Sequence, residues 1–206
     1  MSKNTKRIDV HHHITPKEYV EQLKRIGITE SLGTPFPDWT PEISLKFMKK
    51  VGIETAMMSV TTPGVSFKDH KEFSLEIARW ANEYMAEVKK EYPGKFGGFA
   101  SIPLHFVKES IDELKYALDE LGLDGVCLLT HYNGKYLGDE SFDEFFHELH
   151  RRKAVLYIHP TDPAEAYDPK LAETGIPNAL IEATFETTRM AANLLYADVT
   201  DRFPDI

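Results

Sequence analysis

Ile8-Asp9-Val10-His11-His12-His13 begins the first apolar segment of the chain. Side chains two apart on a strand share a face, so a strand here groups Asp9, His11 and His13 and turns His12 to the other side. Two imidazoles then converge at the strand's C-terminal end, where parallel α/β folds keep their active sites. Paired imidazoles in that position suit a divalent metal such as zinc. The run is shorter than an affinity tag and is followed by Pro16.

Further apolar segments of the same kind follow at Thr55–Thr61, Phe96–Ile102, Asp124–Thr130 and Ala154–His159, and with Arg7–His13 they make five. Between them lie stretches of helical periodicity, Pro16–Ile26, Ser74–Lys90, Val107–Leu121 and Ser141–Lys153, several with acidic residues early and basic residues late. A last helix is expected from Pro177 to Asp198, and Asp201–Ile206 reads as the approach to a sixth strand. Near-continuous apolar strands alternating with amphipathic helices predict a parallel α/β sheet covered on its faces. Five β/α units use the whole length of 206 residues. An eight-unit barrel usually takes about 200 to 250 residues or more, so the chain fits either an open five-stranded sheet or a barrel cut short. No linker or repeat divides it, and residues 1–206 read as one partial domain.

Leu156-Tyr157-Ile158-His159-Pro160 ends the fifth strand on a histidine, and Pro160 closes the backbone ladder behind it. His159 thereby offers a third neutral nitrogen at the same end of the sheet as His11 and His13. Three protein ligands are the usual set for a catalytic metal that keeps a position open. His131 follows the fourth strand and is a candidate acid, base or substrate contact. His70, His105, His147 and His150 are expected on the surface. Because His12 faces away, His12→Ala is expected to do little, whereas loss of His11 or His159 should strip the metal.

Lys and Arg total 24 against 33 acidic residues, a net charge of −9, so no basic stripe is present to neutralise a phosphate backbone and nucleic acid is excluded as a partner. The one cysteine, Cys127, sits in an apolar run and has no disulfide partner within the chain, which fits a reducing cytoplasm. No signal peptide or membrane span is expected.

Three motifs resemble a known group. Ile8–His13 is similar to an Asp-x-His-x-His opening, Leu156–Pro160 to a strand-five metal histidine, and Phe185-Glu186-Thr187-Thr188-Arg189 with Arg202-Phe203-Pro204 to the helix that follows. The group is the amidohydrolase 2 family, the amidohydrolase-related enzymes of the aminocarboxymuconate-semialdehyde decarboxylase type. Trp39-Thr40-Pro41-Glu42, Thr61-Thr62-Pro63-Gly64 and Tyr136-Leu137-Gly138-Asp139 resemble in particular its 6-methylsalicylate decarboxylase-like branch. The resemblance implies a TIM-like (β/α) barrel of the metal-dependent hydrolase type, truncated after about five units. It implies a zinc or manganese enzyme that removes carbon dioxide from a small aromatic or unsaturated carboxylic acid without oxidation. In that family a strand-six histidine and a strand-eight aspartate complete the site, and neither has a counterpart here. The chain thus looks like an N-terminal portion, expected to be weakly active or inactive alone, with an exposed strand edge that another copy would cover in a homo-oligomer, a dimer in the simplest case.

The loops expected on the catalytic face carry no arginine except Arg25, on a probable helix, so a monocarboxylate held by the metal is favoured over a dicarboxylate. Trp39, His131 and Asp9 are candidate pocket residues, with Phe36 and Tyr132 as further aromatic walls. Trp39 also precedes a good helix start, Thr40-Pro41-Glu42, and packing against that helix is the competing role. Metal-dependent hydrolysis of a lactone or amide is the nearest rival activity, and a non-catalytic metal-binding fragment the second.

Overall fold

Each of the five apolar segments forms a strand in a computed structural model that describes residues 6–31, 33–163 and 178–206. β1 (Ile8–Ile14), β2 (Thr55–Val60), β3 (Phe96–Ser101), β4 (Gly125–Leu129) and β5 (Leu156–His159) pair in parallel and in chain order. Their alternation separates two faces. Ala56, Met58, Ala100, Val126 and Leu128 point outward and are fully buried. They pack beneath an outer layer of helices that contributes Met48 from α2 (Pro41–Val51), Ile77, Ala81 and Met85 from α3 (Lys71–Glu91), Leu114 from α4 (Val107–Lys115), and Phe145 and Leu149 from α5 (Asp143–Arg152). α1 (Lys17–Lys24) adds Tyr19 and Leu23.

The other face is concave. A flat sheet of five strands about 4.8 Å apart would hold β1 and β5 roughly 19 Å from one another, beyond the reach of two imidazoles. Nε2 of His11 on β1 nevertheless lies 3.1 Å from Nε2 of His159 on β5. The sheet must therefore curl, which selects the partial (β/α) barrel over the open sheet. Glycine permits the close approach: a Cβ at Gly125 would sit 2.6 Å from the carbonyl oxygen of Val155. No strand pairs with the outer side of β1 or of β5 among the described residues, and Ile8, Val10 and Val155 are exposed there.

Several boundaries differ from the sequence expectation for local reasons. α3 begins at Lys71, one turn before Ser74, because the Ser74 hydroxyl is used inside the first turn, donating to the His70 carbonyl at 2.9 Å. The expected helix to Leu121 ends in a π turn, Tyr116–Glu120. The final helix, α6, spans Asn178–Tyr196, and Pro177 lies outside the described residues. A single turn, α7 (Val199–Arg202), follows it.

One buried polar cluster ties the helices to the sheet. The side chain of Asn82, fully buried on α3, donates to the Ser101 carbonyl at 3.0 Å and to Glu113 Oε1 at 2.7 Å, and accepts from the Ser101 N–H at 2.7 Å. Arg79 donates to the other Glu113 oxygen at 2.8 Å. Burial pushes the Glu113 carboxyl above its usual range despite the opposing pull of Asn82 and Arg79. A raised folded-state pKa favours the protonated form, so the contribution of Glu113 is complete below the unfolded pKa and is lost as pH rises through the folded one. Denaturant midpoints of wild type and Glu113→Gln should therefore diverge with pH: as pH rises above the ordinary carboxylate value the wild type loses stability relative to the variant. Parallel pH profiles would contradict this.

Candidate metal centre

β1 does not pair regularly with β2. Asp9 lies opposite Ala56 and His12 opposite Met58, so three steps on β1 match two on β2. One extra residue is thus accommodated at Val10–His11, a β-bulge. The bulge changes parity: Asp9 joins His12 on the outer side, while His11 and His13 stay together on the concave side. The expected grouping of Asp9 with His11 and His13 is thereby corrected. Asp9 Oδ2 meets His12 Nδ1 at 3.0 Å, and Oδ1 accepts from the His11 backbone N–H at 3.1 Å. Burial raises the Asp9 carboxyl, but the bonds from His12 and the His11 N–H, with the charges of both rings, outweigh it and hold the group below its usual value.

His11, His13 and His159 converge on the concave face. Nε2 of His11 lies 2.9 Å from that of His13 and 3.1 Å from that of His159, and the three ligand atoms all fall within 4.8 Å of one another. Nitrogens around a tetrahedral zinc at 2.0–2.1 Å are about 3.3 Å apart, so small shifts would seat an ion. Nδ1 of His159 donates to the Pro160 carbonyl at 2.6 Å, which leaves its Nε2 lone pair directed at the other rings. Burial first, and then the charges of His159, His11 and His12, push His13 down to about 3, the Ser59 backbone working weakly the other way. Burial and the charge of His11 push His159 to about 4, against the Pro160 carbonyl. Both rings are neutral at ordinary pH, the state a metal needs. No carboxylate or thiol joins the three among the described residues.

The rings lie in an open cleft of about 370 Å³. Phe36, Pro35, Pro37 and Pro160 give it apolar walls, Ala179 and Ala183 on one stripe of α6 close a side, and hydroxyls come from Ser31, Thr34, Thr61 and Thr62. Ser31 and Thr62 hydrogen-bond one another. No lysine, arginine, aspartate or glutamate lines this cleft among the described residues.

Two other expected pocket residues lie elsewhere. Trp39 lines a neighbouring cleft of about 420 Å³ with Thr15, Val20 and Asp38, sharing only Phe36 and Pro37 with the histidine cleft. Its ring packs edge-on to Tyr84 and its Nε1 donates to Ser44 Oγ at 2.8 Å. It occupies the position before the N-cap Thr40 and reaches the fourth residue of α2, a staple made with a hydrogen bond. His131 borders a separate cavity of about 220 Å³, donating through Nε2 to the Asp162 carbonyl at 2.9 Å and accepting through Nδ1 from the Gly134 N–H at 3.3 Å. Its Nε2 is also 3.5 Å from buried Glu186, whose carboxylate holds Tyr136 Oη at 2.8 Å and Arg189 at 2.6 Å. His131 thus helps fasten the hairpin after β4 to α6. Tyr132 is in the core.

His70 and His147 are exposed and His105 and His150 are partly so, with the His105 Nδ1 2.7 Å from Ser66 Oγ and its Nε2 buried. Ser31, Thr34 and the α6 alanines were not singled out from sequence, since nothing local marks such a hydroxyl or a helical alanine as pocket-lining. His12 faces away from the cleft, as expected, yet it is buried and bonded through both ring nitrogens, to Asp9 and to Ser44 Oγ at 2.8 Å.

Comparison with known proteins agrees with this geometry. Decarboxylase yanB of Aspergillus niger is 41% identical over 208 residues, covering 97% of this chain and 56% of its own length. The 6-methylsalicylic acid decarboxylase acuB of Aspergillus aculeatus is 37% identical over 192 residues, 92% of this chain and 57% of that protein. The crystal structure of 5-carboxyvanillate decarboxylase LigW from Sphingomonas paucimobilis superposes with a TM-score of 0.85 at 25% identity, covering 97% of this chain and 65% of that one. The chain spans somewhat over half the length of the curated relatives it matches. With its curled sheet, its converging histidines and a match to the Amidohydrolase model over residues 8–206, the chain belongs to the amidohydrolase family.

Proposed function

We propose that the protein serves as a metal-dependent carboxy-lyase acting on a small aromatic monocarboxylic acid. The observation that carries this reading is the meeting of three imidazole nitrogens with an apolar cleft that has no cationic side chain among the described residues. His11, His13 and His159 would hold a divalent metal, which would supply Lewis-acid charge toward the substrate's carboxylate. The three imidazole nitrogens suit zinc, with manganese the alternative. Phe36 and the surrounding prolines hold the ring and exclude water, and Ser31, Thr34, Thr61 and Thr62 offer hydrogen bonds to its polar substituents. A second carboxylate would find no guanidinium here, which selects against dicarboxylates.

The decarboxylase names of the relatives support the choice of reaction. Residues 1–206 act in this reading as one barrel-type domain, in a cytoplasmic protein that forms a dimer. None of the described helices is long and apolar enough to cross a membrane. The test is a screen of hydroxybenzoates for carbon dioxide release alongside lactones for acid release, with and without zinc or manganese. Metal-dependent carbon dioxide release is expected, and lactone turnover without it would overturn the assignment.

A further inference from the structure

Behind the three histidines, on the opposite side of β1, a chain of polar contacts runs through the wall of the barrel. Trp39 Nε1 donates to Ser44 Oγ at 2.8 Å, Ser44 Oγ lies 2.8 Å from His12 Nε2, and His12 Nδ1 lies 3.0 Å from Asp9 Oδ2. The remaining Asp9 oxygen accepts from the His11 N–H at 3.1 Å. The proton positions follow from the partners. An indole N–H can only donate and an ionised carboxylate can only accept. His12 therefore carries its proton on Nδ1, toward Asp9, and takes the Ser44 hydroxyl proton at Nε2, leaving Ser44 free to accept from Trp39. Every member is satisfied, and His12 and Ser44 are buried.

This network closes on the bulge that aims the metal-binding pair. A bulge leaves part of a strand without ladder partners, and its conformation needs another source of definition. Here the Asp9 carboxylate spans the bulge to the His11 N–H, and His12, the residue between His11 and His13, is pinned by α2 from behind. Ser44 is placed by a well-terminated helix, with Thr40 as N-cap, Pro41 in its first turn and Gly52 closing it in the left-handed region. Trp39 in turn packs on Tyr84, which stacks on Trp80 of α3.

We infer that Asp9, His12, Ser44 and Trp39 are positioning residues for the metal centre, setting the directions of His11 and His13 through the bulge without touching the ion or the substrate. The inference rests on the metal reading above. Groups that orient metal ligands from behind affect affinity by about 10–100-fold when removed.

The experiment measures zinc affinity by chelator competition and records the visible spectrum of the cobalt-loaded chain for wild type, Ser44→Ala, Ser44→Thr and His12→Phe. Ser44→Ala and His12→Phe are expected to retain one metal per chain, to bind zinc about 10–100-fold more weakly, and to show an altered cobalt spectrum. Ser44→Thr, which keeps the hydroxyl, should recover most of the affinity and the wild-type spectrum. That recovery separates positioning from a general loss of fold, as does an unchanged melting temperature of metal-free Ser44→Ala. Should His12→Phe not fold, the serine pair decides alone. Wild-type affinity and spectrum in Ser44→Ala would overturn the positioning role while leaving the metal site intact. A wild-type chain that binds no zinc would overturn both.

Discussion

Replacing His159 by alanine is expected to abolish stoichiometric zinc binding, lowering affinity by more than the roughly hundredfold upper end seen when only an orienting group is lost. Three features single His159 out. It stands on β5, at the opposite side of the described sheet from His11 and His13, so no neighbouring residue on its own strand can replace it. Its Nδ1 is committed to the Pro160 carbonyl, so Nε2 is its only free donor atom. Without it two nitrogens remain, one fewer than the three protein ligands of catalytic zinc sites. Elemental analysis after gel filtration gives the content and chelator competition the affinity. Saturating metal should raise the melting temperature of wild type, since a ligand at a hundred times its Kd adds about 2.7 kcal/mol, and should leave the variant unmoved. Undiminished zinc in His159→Ala would contradict the assignment. His105→Ala serves as the control, because that ring belongs to the cavity beside Ser66 and should leave metal content unchanged.

The largest expected loss of stability comes from Asn82→Leu, a change that nearly preserves volume and removes all three hydrogen bonds of a fully buried side chain. It strands the Ser101 N–H, the Ser101 carbonyl and one oxygen of Glu113 in a packed interior. A buried group left unpaired costs about 1–3 kcal/mol, and neighbouring losses do not simply add, so about 3 kcal/mol or more is expected. In a domain of this size that lowers the melting temperature by about 6–12 °C. Chemical denaturation with an unchanged m-value would assign the effect to stability. A loss under about 1 kcal/mol would mean that water reaches these groups and that the cluster is less sealed than its burial indicates.

Much of the fold could be read directly because β/α units advertise themselves. The apolar runs from Thr55, Phe96 and Gly125 are buried on the helix-facing side whatever the curvature of the sheet, so their strands follow from composition alone. The metal histidines were legible for a related reason: a spacing of two holds His11 and His13 on one face, and a strand-terminal position puts His159 at the same end. Asp9 was misplaced because the rule of alternation assumes an unbroken ladder, and nothing in Asp9-Val10-His11 announces a bulge. Trp39 and His131 were misplaced for a different reason. Trp39 sits in a loop and His131 in a short hairpin strand, where the side chain's destination depends on what the segment is packed against. Ser44 did leave a faint sign, as a polar residue on the same helical stripe as Met48, which implied a buried hydroxyl in need of partners.

The bulge also bears on which changes of length the gene can tolerate. Asp9 and His12 share one side of the strand and His11 and His13 the other, and the surplus residue lies between Asp9 and His12. Dropping the codon for Val10 would turn the irregular strand into a regular one with each pair still on its own side. Adding or dropping one codon between His11 and His13 would instead send the two imidazoles to opposite sides of the barrel wall. Small insertions and deletions across homologous genes should therefore gather in the first half of this strand and be absent from His11 to His13.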